Sequence, residues 1–171
     1  MNKLTNNKKP LTNQIVIMAL LTALIIILAR ILAINTPILR LSFEFIPISF
    51  IGILFGPLWG AVLVAVADLI GSLMLPTGPY NPMFTISAFL TGGIYGLFLH
   101  KKEVTIKRTI CPVLLVSLLI HLTLNTYWLS IMFDSAFIAL LPARLIKTIL
   151  LPIIEIPLIV FLWNRLKVVL R

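Results

Sequence analysis

Ionisable side chains inside otherwise apolar segments are the residues best placed to do chemistry in this sequence. Arg144, Lys147 and Glu155 share one face of the last apolar segment, because eleven helical residues at 100° each return to within about 20° of the starting direction. Arg30 lies near the end of the first apolar run, and Asp68 lies in the middle of a later one. Such charges need a partner, a water-filled cavity or a route to the membrane interface. These charged residues predict a polar binding cavity. The alternative is that the basic side chains snorkel to the lipid head groups.

A second polar stripe carries His121, Asn125 and Trp128 at helical spacings of four and three residues. A lone histidine on an apolar helix is more often a hydrogen-bonding core residue than a general base. The sequence contains no HExxH, Gly-x-Ser-x-Gly or Walker phosphate-loop motif, and no paired aspartates at helical spacing. The single cysteine, Cys111, and the two histidines offer no zinc-binding spacing. We therefore predict binding without catalysis, with no catalytic residue and no metal.

The elements that position these residues must be transmembrane helices. Of the 171 residues, 60% are hydrophobic and 11% are charged, and the mean hydropathy is +1.13. A soluble domain carries about 25% charged residues, so the composition excludes the soluble, disordered and disulfide-rich secreted classes. One helical span needs about 20 apolar residues, so a chain of this length holds about five to seven spans and no further soluble domain.

Two breaks divide the apolar sequence. The segment FGPLWG, at 55–60, interrupts a run too long for one crossing, since Pro57 lacks an N–H and the flanking glycines permit a tight reversal. The segment LPTGPYNP, at 75–82, contains three prolines and must be non-helical. We predict an all-α integral membrane protein with a single transmembrane domain over residues 1–171, and Pro142 suits the first position of its last helix. The six predicted helices are 12–34, 46–55, 58–75, 83–99, 109–133 and 142–167.

The basic residues predict the orientation of these helices. Six spans place ten of the 14 Lys and Arg residues on one face of the membrane and leave Arg40 alone on the other. Because basic residues accumulate on the cytoplasmic side, we expect a multi-pass plasma-membrane protein with both termini cytoplasmic and its polar cavity open to the outside. The same rule explains the net charge of +9, so we predict no nucleic-acid partner. The ten residues are Lys3, Lys8, Lys9, Lys101, Lys102, Lys107, Arg108, Arg165, Lys167 and Arg171.

The first predicted span follows a basic tail, as a signal peptide does. No small-x-small cleavage pattern follows it, so we predict a retained helix. Within this helix Ala19 and Ala23 form a small-xxx-small pair, which lets another helix approach closely. The spacing alone fits internal packing and a partner interface equally well.

Taken together, these segments resemble the substrate-binding S components of energy-coupling factor (ECF) vitamin transporters, and most closely the folate-specific branch. The resemblance covers nearly the whole chain, and its specific part is the compound pattern GxLFGPxWG, ADLxG and PTGPY. Two departures are visible. Glu44 stands between two phenylalanines where the family has a small residue, and a more polar segment, Asn81-Pro82-Met83, follows PTGPY. The other matching segments are AxxxA in the first helix, LRLSFEFIPI, LNTYWLS and LPARLIKTILLPIIEIP.

The resemblance implies an S-component-like bundle of six helices with a vitamin pocket near the outer face, closed by the loops after spans one and three. It also implies docking of the Ala19–Ala23 face on a transmembrane T component that is carried by two cytoplasmic ATPases. The S component itself hydrolyses nothing and needs no cofactor, with folate as its transported ligand. Release inward is expected to follow toppling of the loaded subunit in the bilayer.

Folate combines a flat pterin ring, an amino edge and a tail with two carboxylates. Aromatic residues could sandwich the ring, Asp68 or Asn125 could take the amino edge, and the basic residues could pair with the tail, where arginine offers bidentate geometry. The alternatives are that Asp68 neutralises a basic neighbour and that Glu155 pairs structurally with Lys147. The candidate binding residues are Arg30, Arg40, Phe43, Asp68, Tyr80, Asn81, Asn125, Trp128, Arg144 and Lys147.

Three other functions compete with this interpretation. The same fold could bind thiamine, riboflavin or pantothenate, although cationic thiamine would prefer a pocket richer in carboxylates. A non-transport scaffold of cell-wall morphogenesis would not need a charged outer cavity. A membrane-embedded enzyme would need a nucleophile or a metal set that the sequence does not offer.

Overall fold

The computed structural model describes residues 11–35, 40–76, 78–134 and 137–169 as a helical membrane protein. Five helices within these residues are long and apolar enough to cross a membrane, namely Leu11–Ile31, Phe45–Met74, Pro82–Leu99, Ile106–Met132 and Leu140–Lys167. In chain order the elements are α1 (Leu11–Ile26) with a π-helical turn (Ile27–Ile31), β1 (Ile34–Asn35), β2 (Arg40–Leu41), α2 (Phe45–Met74), α3 (Pro82–Leu99), α4 (Ile106–Leu115) with a π-helical segment (Val116–Leu124), α5 (Asn125–Met132) and α6 (Phe137–Val169).

Helix α2 reverses direction at Gly56. This glycine has φ 85° and ψ −175°, a left-handed backbone conformation that is readily available to glycine. A Cβ built on Gly60 would lie 3.4 Å from the Cα of Gly52, whereas residues eight apart in a straight helix are separated by about 12 Å. The two halves of α2 therefore fold back on each other, and the break predicted in FGPLWG is present.

The reversal is packed by glycines against α3. A Cβ on Gly60 would lie 2.6 Å from the carbonyl oxygen of Gly92, and a Cβ on Gly52 would lie 2.7 Å from the backbone nitrogen of Gly96. At the turn itself, Nδ1 of His100 lies 3.0 Å from the carbonyl oxygen of Ile53. Both halves of α2 thus contact α3 backbone to backbone, and the end of α3 lies beside the reversal.

The bundle has two distinct ends. The reversal end contains Gly56 and His100, and the hairpin end contains the antiparallel pair β1–β2 and the 75–81 segment. The strand pairing explains why the first helical span ends at Ile31 rather than at residue 34.

At the start of α6 five apolar residues precede Pro142 and are already helical, so this proline lies inside the helix and not at its first position. The apolar pattern of the sequence does not predict the two π-helical segments.

Candidate ligand-binding site

A cavity of about 320 Å³ opens between the helices toward the hairpin end. Its volume lies within the range of about 300–1,000 Å³ typical of small-molecule sites. Side chains from the π-helical turn after α1, from α2, α3, α5 and α6 and from the 75–81 segment line it. All five long helices therefore contribute to a single concave site.

Seven of the ten predicted binding residues line this cavity. Phe43 and Trp128 do not: Phe43 is 52% exposed and packs against Phe45, whose ring lines the cavity in its place, while Trp128 packs against Tyr127. The side chain of Arg40 lies outside the described residues, although its backbone pairs in β2. The seven lining residues are Arg30, Asp68, Tyr80, Asn81, Asn125, Arg144 and Lys147.

Asp68 joins two helices and the 75–81 segment on one wall of the cavity. Its Oδ1 accepts a hydrogen bond from Nη2 of Arg30 at 3.1 Å within an ion pair, and its Oδ2 accepts one from the hydroxyl of Thr85 at 2.9 Å. The Thr85 hydroxyl in turn lies 3.3 Å from the Tyr80 hydroxyl. A Cβ on Gly71 would lie 3.2 Å from Nε of Arg30, so this glycine leaves the space that the guanidinium side chain occupies. Asp68 therefore does neutralise a basic neighbour, as one of the two sequence interpretations held.

Arg144 joins α6 to the opposite wall. Its Nη1 donates to the carbonyl oxygen of His121 at 2.9 Å and lies 3.4 Å from the Thr126 hydroxyl. The Nδ2 of Asn125 lies 3.3 Å from Nδ1 of His121, so the predicted His121–Asn125 stripe does face the site. These contacts orient the guanidinium, which has five N–H donors in a planar fork, along the cavity wall.

Two buried oxygen atoms of the lining have no hydrogen-bond partner among the described residues. They are Oδ1 of Asn125 and the hydroxyl of Ser87, and Ser87 is 3% exposed. Buried polar groups are nearly always hydrogen-bonded to protein or to water. Because both residues line the cavity, these two oxygens are placed to bond with a molecule that fills it.

A profile described as "ECF-type riboflavin transporter, S component" matches residues 9–164 of this chain. The chain belongs to the S-component family of ECF transporters. This membership confirms the family predicted from the sequence and the expectation of a transport subunit that is not an enzyme.

Curated relatives and a solved structure resemble this S component over most of its length. The folate transporter FolT of Clostridium novyi (strain NT) is 41% identical over 142 residues, which cover 82% of this chain and 83% of the relative. FolT of Leuconostoc mesenteroides subsp. mesenteroides is 34% identical over 160 residues, which cover 90% and 86%. A crystal structure of FolT bound with folic acid superimposes with a TM-score of 0.84 at 42% identity and covers 90% of this chain and 92% of that one.

The cavity of this S component also contains residues that the sequence did not assign to the site. Helix α3 contributes Ser87, Thr91 and Tyr95, whose spacing of four residues is a helical-face signal that could have found them. Glu155 lay on the predicted stripe of α6 but outside the predicted binding set, and Glu44 was noted only as a departure from the family. The contribution of Phe45 in place of Phe43 depends on where α2 begins, which the sequence pattern did not fix.

Proposed function

We propose that this S component binds folate in the cavity at the hairpin end and delivers it for import. Both curated relatives are named folate transporters, and the matching crystal structure contains folic acid. The observation that best supports folate as the substrate is the presence of Arg144 and Lys147 together on the cavity wall of α6. Two basic side chains suit the two carboxylates of the folate tail.

A second substrate is favoured by one observation, the description of the matching profile, which names riboflavin. Riboflavin carries no carboxylate, so it would leave the basic side chains of α6 without an anionic ligand group. Cationic thiamine fits these side chains less well still. The charge of the cavity therefore supports folate over both of these vitamins.

The proposed residue roles are supported by where the side chains lie. Arg144 and Lys147 bind the tail carboxylates, and Tyr80 and Asn81 contact the ligand from the 75–81 segment. Arg30 contributes through its ion pair with Asp68, which holds the wall between α1 and α2. Phe43 and Trp128 are left out of the proposed set because their side chains do not line the cavity.

The proposed route is capture at the outer face and release inward, with a T component and two ATPases as partners. The reversal at Gly56 supports six crossings, since it splits α2 into two antiparallel halves. Six crossings put both termini in the cytoplasm and the cavity on the outer side of the plasma membrane. Ala19 and Ala23 are exposed on α1, which supports their role as the docking face. No cofactor takes part in this scheme.

Titration of the detergent-purified chain with folate tests the substrate. The fluorescence of Trp59, Trp128 and Trp163 is followed, with riboflavin and thiamine as controls. Saturable quenching by folate alone is the expected result. Quenching by riboflavin but not by folate would be consistent with the family and would overturn folate as the substrate. No change in fluorescence with any of the vitamins would overturn the binding function.

A further inference from the structure

Glu155 is the carboxylate at the far end of the polar face of α6. It is 4% exposed and lines the cavity, eleven residues after Arg144 on nearly the same face of the helix. Eleven residues correspond to about 16 Å along a helix axis. The cavity wall formed by α6 therefore has a basic end toward the hairpin and an acidic end deep in the bundle.

The Glu155 carboxylate has electrostatic neighbours but no hydrogen bond to another described residue. Among the described residues it accepts no hydrogen bond and forms no ion pair within 4 Å, in contrast to Asp68, where both oxygens are engaged. Lys147, Glu44 and Tyr95 are the ionisable side chains that interact with it electrostatically. A buried carboxylate without hydrogen bonds is unfavourable, so a donor from the cavity contents would stabilise it.

The walls around this deep end suit a flat ring with a polar edge. Tyr95 and Thr91 line the cavity from α3, and Tyr95, which is 1% exposed, interacts electrostatically with Glu155. Thr91 directs its own hydroxyl to the carbonyl oxygen of Ser87. The Thr91 hydroxyl proton is therefore used within α3, and Glu155 supplies the carboxylate acceptor at this end of the α6 face.

We propose that Glu155 is the specificity-determining residue for the pterin ring, accepting hydrogen bonds from N3–H and from the 2-amino group. This inference rests on the proposed folate function and deepens it. The two N–H groups are adjacent and parallel, so they match the two oxygens of one carboxylate as a guanidinium fork does. The pterin then lies deep in the cavity beside Glu155, and the tail carboxylates reach Arg144 and Lys147 at the other end of the α6 face.

This geometry makes a distinct prediction for 4-amino analogues such as aminopterin. In the neutral 2,4-diamino ring N3 is an acceptor, so one carboxylate oxygen of Glu155 would face a lone pair. A glutamine at this position would offer one acceptor and one donor, which match an amino group and N3 of the analogue. Glu155→Gln should therefore exchange the preference of the site, disfavouring folate and favouring the analogue.

The test measures the affinity of the full chain for folate and aminopterin at mildly alkaline pH, where the diamino ring is neutral. We expect Glu155→Gln to weaken folate binding by about tenfold or more and to leave aminopterin binding equal or tighter. Glu103→Gln is the matched control, since it makes the same substitution at an exposed residue that does not line the cavity. It should leave the ratio of the two affinities unchanged.

Equal loss of both ligands in Glu155→Gln, or no change in either, would overturn the proposal. A comparison on the unmodified chain covers the case in which the variant fails to fold. Folate lacking its 2-amino group should bind about tenfold or more weakly than folate, and equal binding would also overturn the role of Glu155. Failure of the unmodified chain to bind folate at all would instead overturn the proposed function.

Discussion

Two sets of charges in the same cavity behave differently. The α1–α2 wall is internally paired, with Asp68 held by Arg30 and Thr85. The α6 face spreads its charges along the helix, with Arg144 near the hairpin end and Glu155 deep in the bundle without a hydrogen bond from the described residues. We infer that the paired wall maintains the shape of the cavity and that the spread face binds a ligand with an anionic end and a donor end.

The largest effect is expected when the ion pair of the α1–α2 wall is broken. Asp68→Asn removes the carboxylate charge that pairs with the Arg30 guanidinium, so we expect the unfolding free energy to fall by about 3 kcal/mol. Thermal unfolding in detergent measures this loss. The matched control is the double variant Arg30→Met with Asp68→Leu, which removes both charges and should be more stable than Asp68→Asn. A double variant that is less stable than Asp68→Asn would contradict the structural role of the pair.

The second prediction distinguishes binding of the folate tail from binding of the pterin ring at the α6 face. Arg144→Ala should weaken folate binding by about tenfold or more, because a charge-assisted hydrogen bond to a carboxylate is lost. A tail-less pterin such as 6-hydroxymethylpterin, which carries no carboxylate, should bind the variant and the unmodified chain equally. Arg165→Ala serves as the control, because Arg165 lies over the ring of Phe161 and does not line the cavity. Equal weakening of folate and the tail-less pterin would refute the role of Arg144 at the tail.

A third prediction tests how much the Thr85 hydroxyl contributes to the paired wall. Thr85→Val keeps the shape of the side chain and removes the hydroxyl that connects Asp68 to Tyr80. We expect a loss of about 1 kcal/mol in unfolding free energy, the usual contribution of one hydrogen bond. Unfolding curves of Thr85→Val and Thr85→Ser provide the measurement, and the serine variant should remain close to the unmodified chain. A loss as large as that of Asp68→Asn would mean that the hydroxyl, and not the ion pair, dominates this wall.

The smallest effect concerns an aromatic residue outside both walls. Phe43→Ala should change folate affinity by no more than about twofold, because exposed side chains away from a site usually contribute within about 0.5 kcal/mol. Phe45→Leu is the informative comparison, since the Phe45 ring lines the cavity. A larger loss of affinity in Phe43→Ala than in Phe45→Leu would show that the wrong aromatic residue has been assigned to the site.

The membrane class and the reversal within the apolar run could be predicted from the sequence. Low charge and long apolar runs define the class, and Gly56 with Pro57 combines the backbone freedom and the missing N–H that a helix reversal requires. The polar face of α6 could be predicted too, because helical periodicity is a local property. These features depend on residues that are close together in the sequence.

The contacts between helices could not be predicted in the same way. Arg30 and Asp68 are 38 residues apart, and their pairing depends on how α1 packs on α2. Membrane helices are apolar on most sides, so hydrophobic periodicity does not identify the face that lines a cavity. This is why Tyr95 and Phe45 were missed, and why the only role suggested for Glu155 from the sequence was a structural pairing with Lys147.

A structure of this S component with folic acid bound tests the central claim most directly. The account predicts that the tail carboxylates lie within hydrogen-bonding distance of Arg144 or Lys147 and that Asp68 keeps its ion pair with Arg30. A tail bound away from both basic residues of α6, or an Asp68 released from Arg30 to hold the pterin, would contradict the distinction between the paired wall and the spread face.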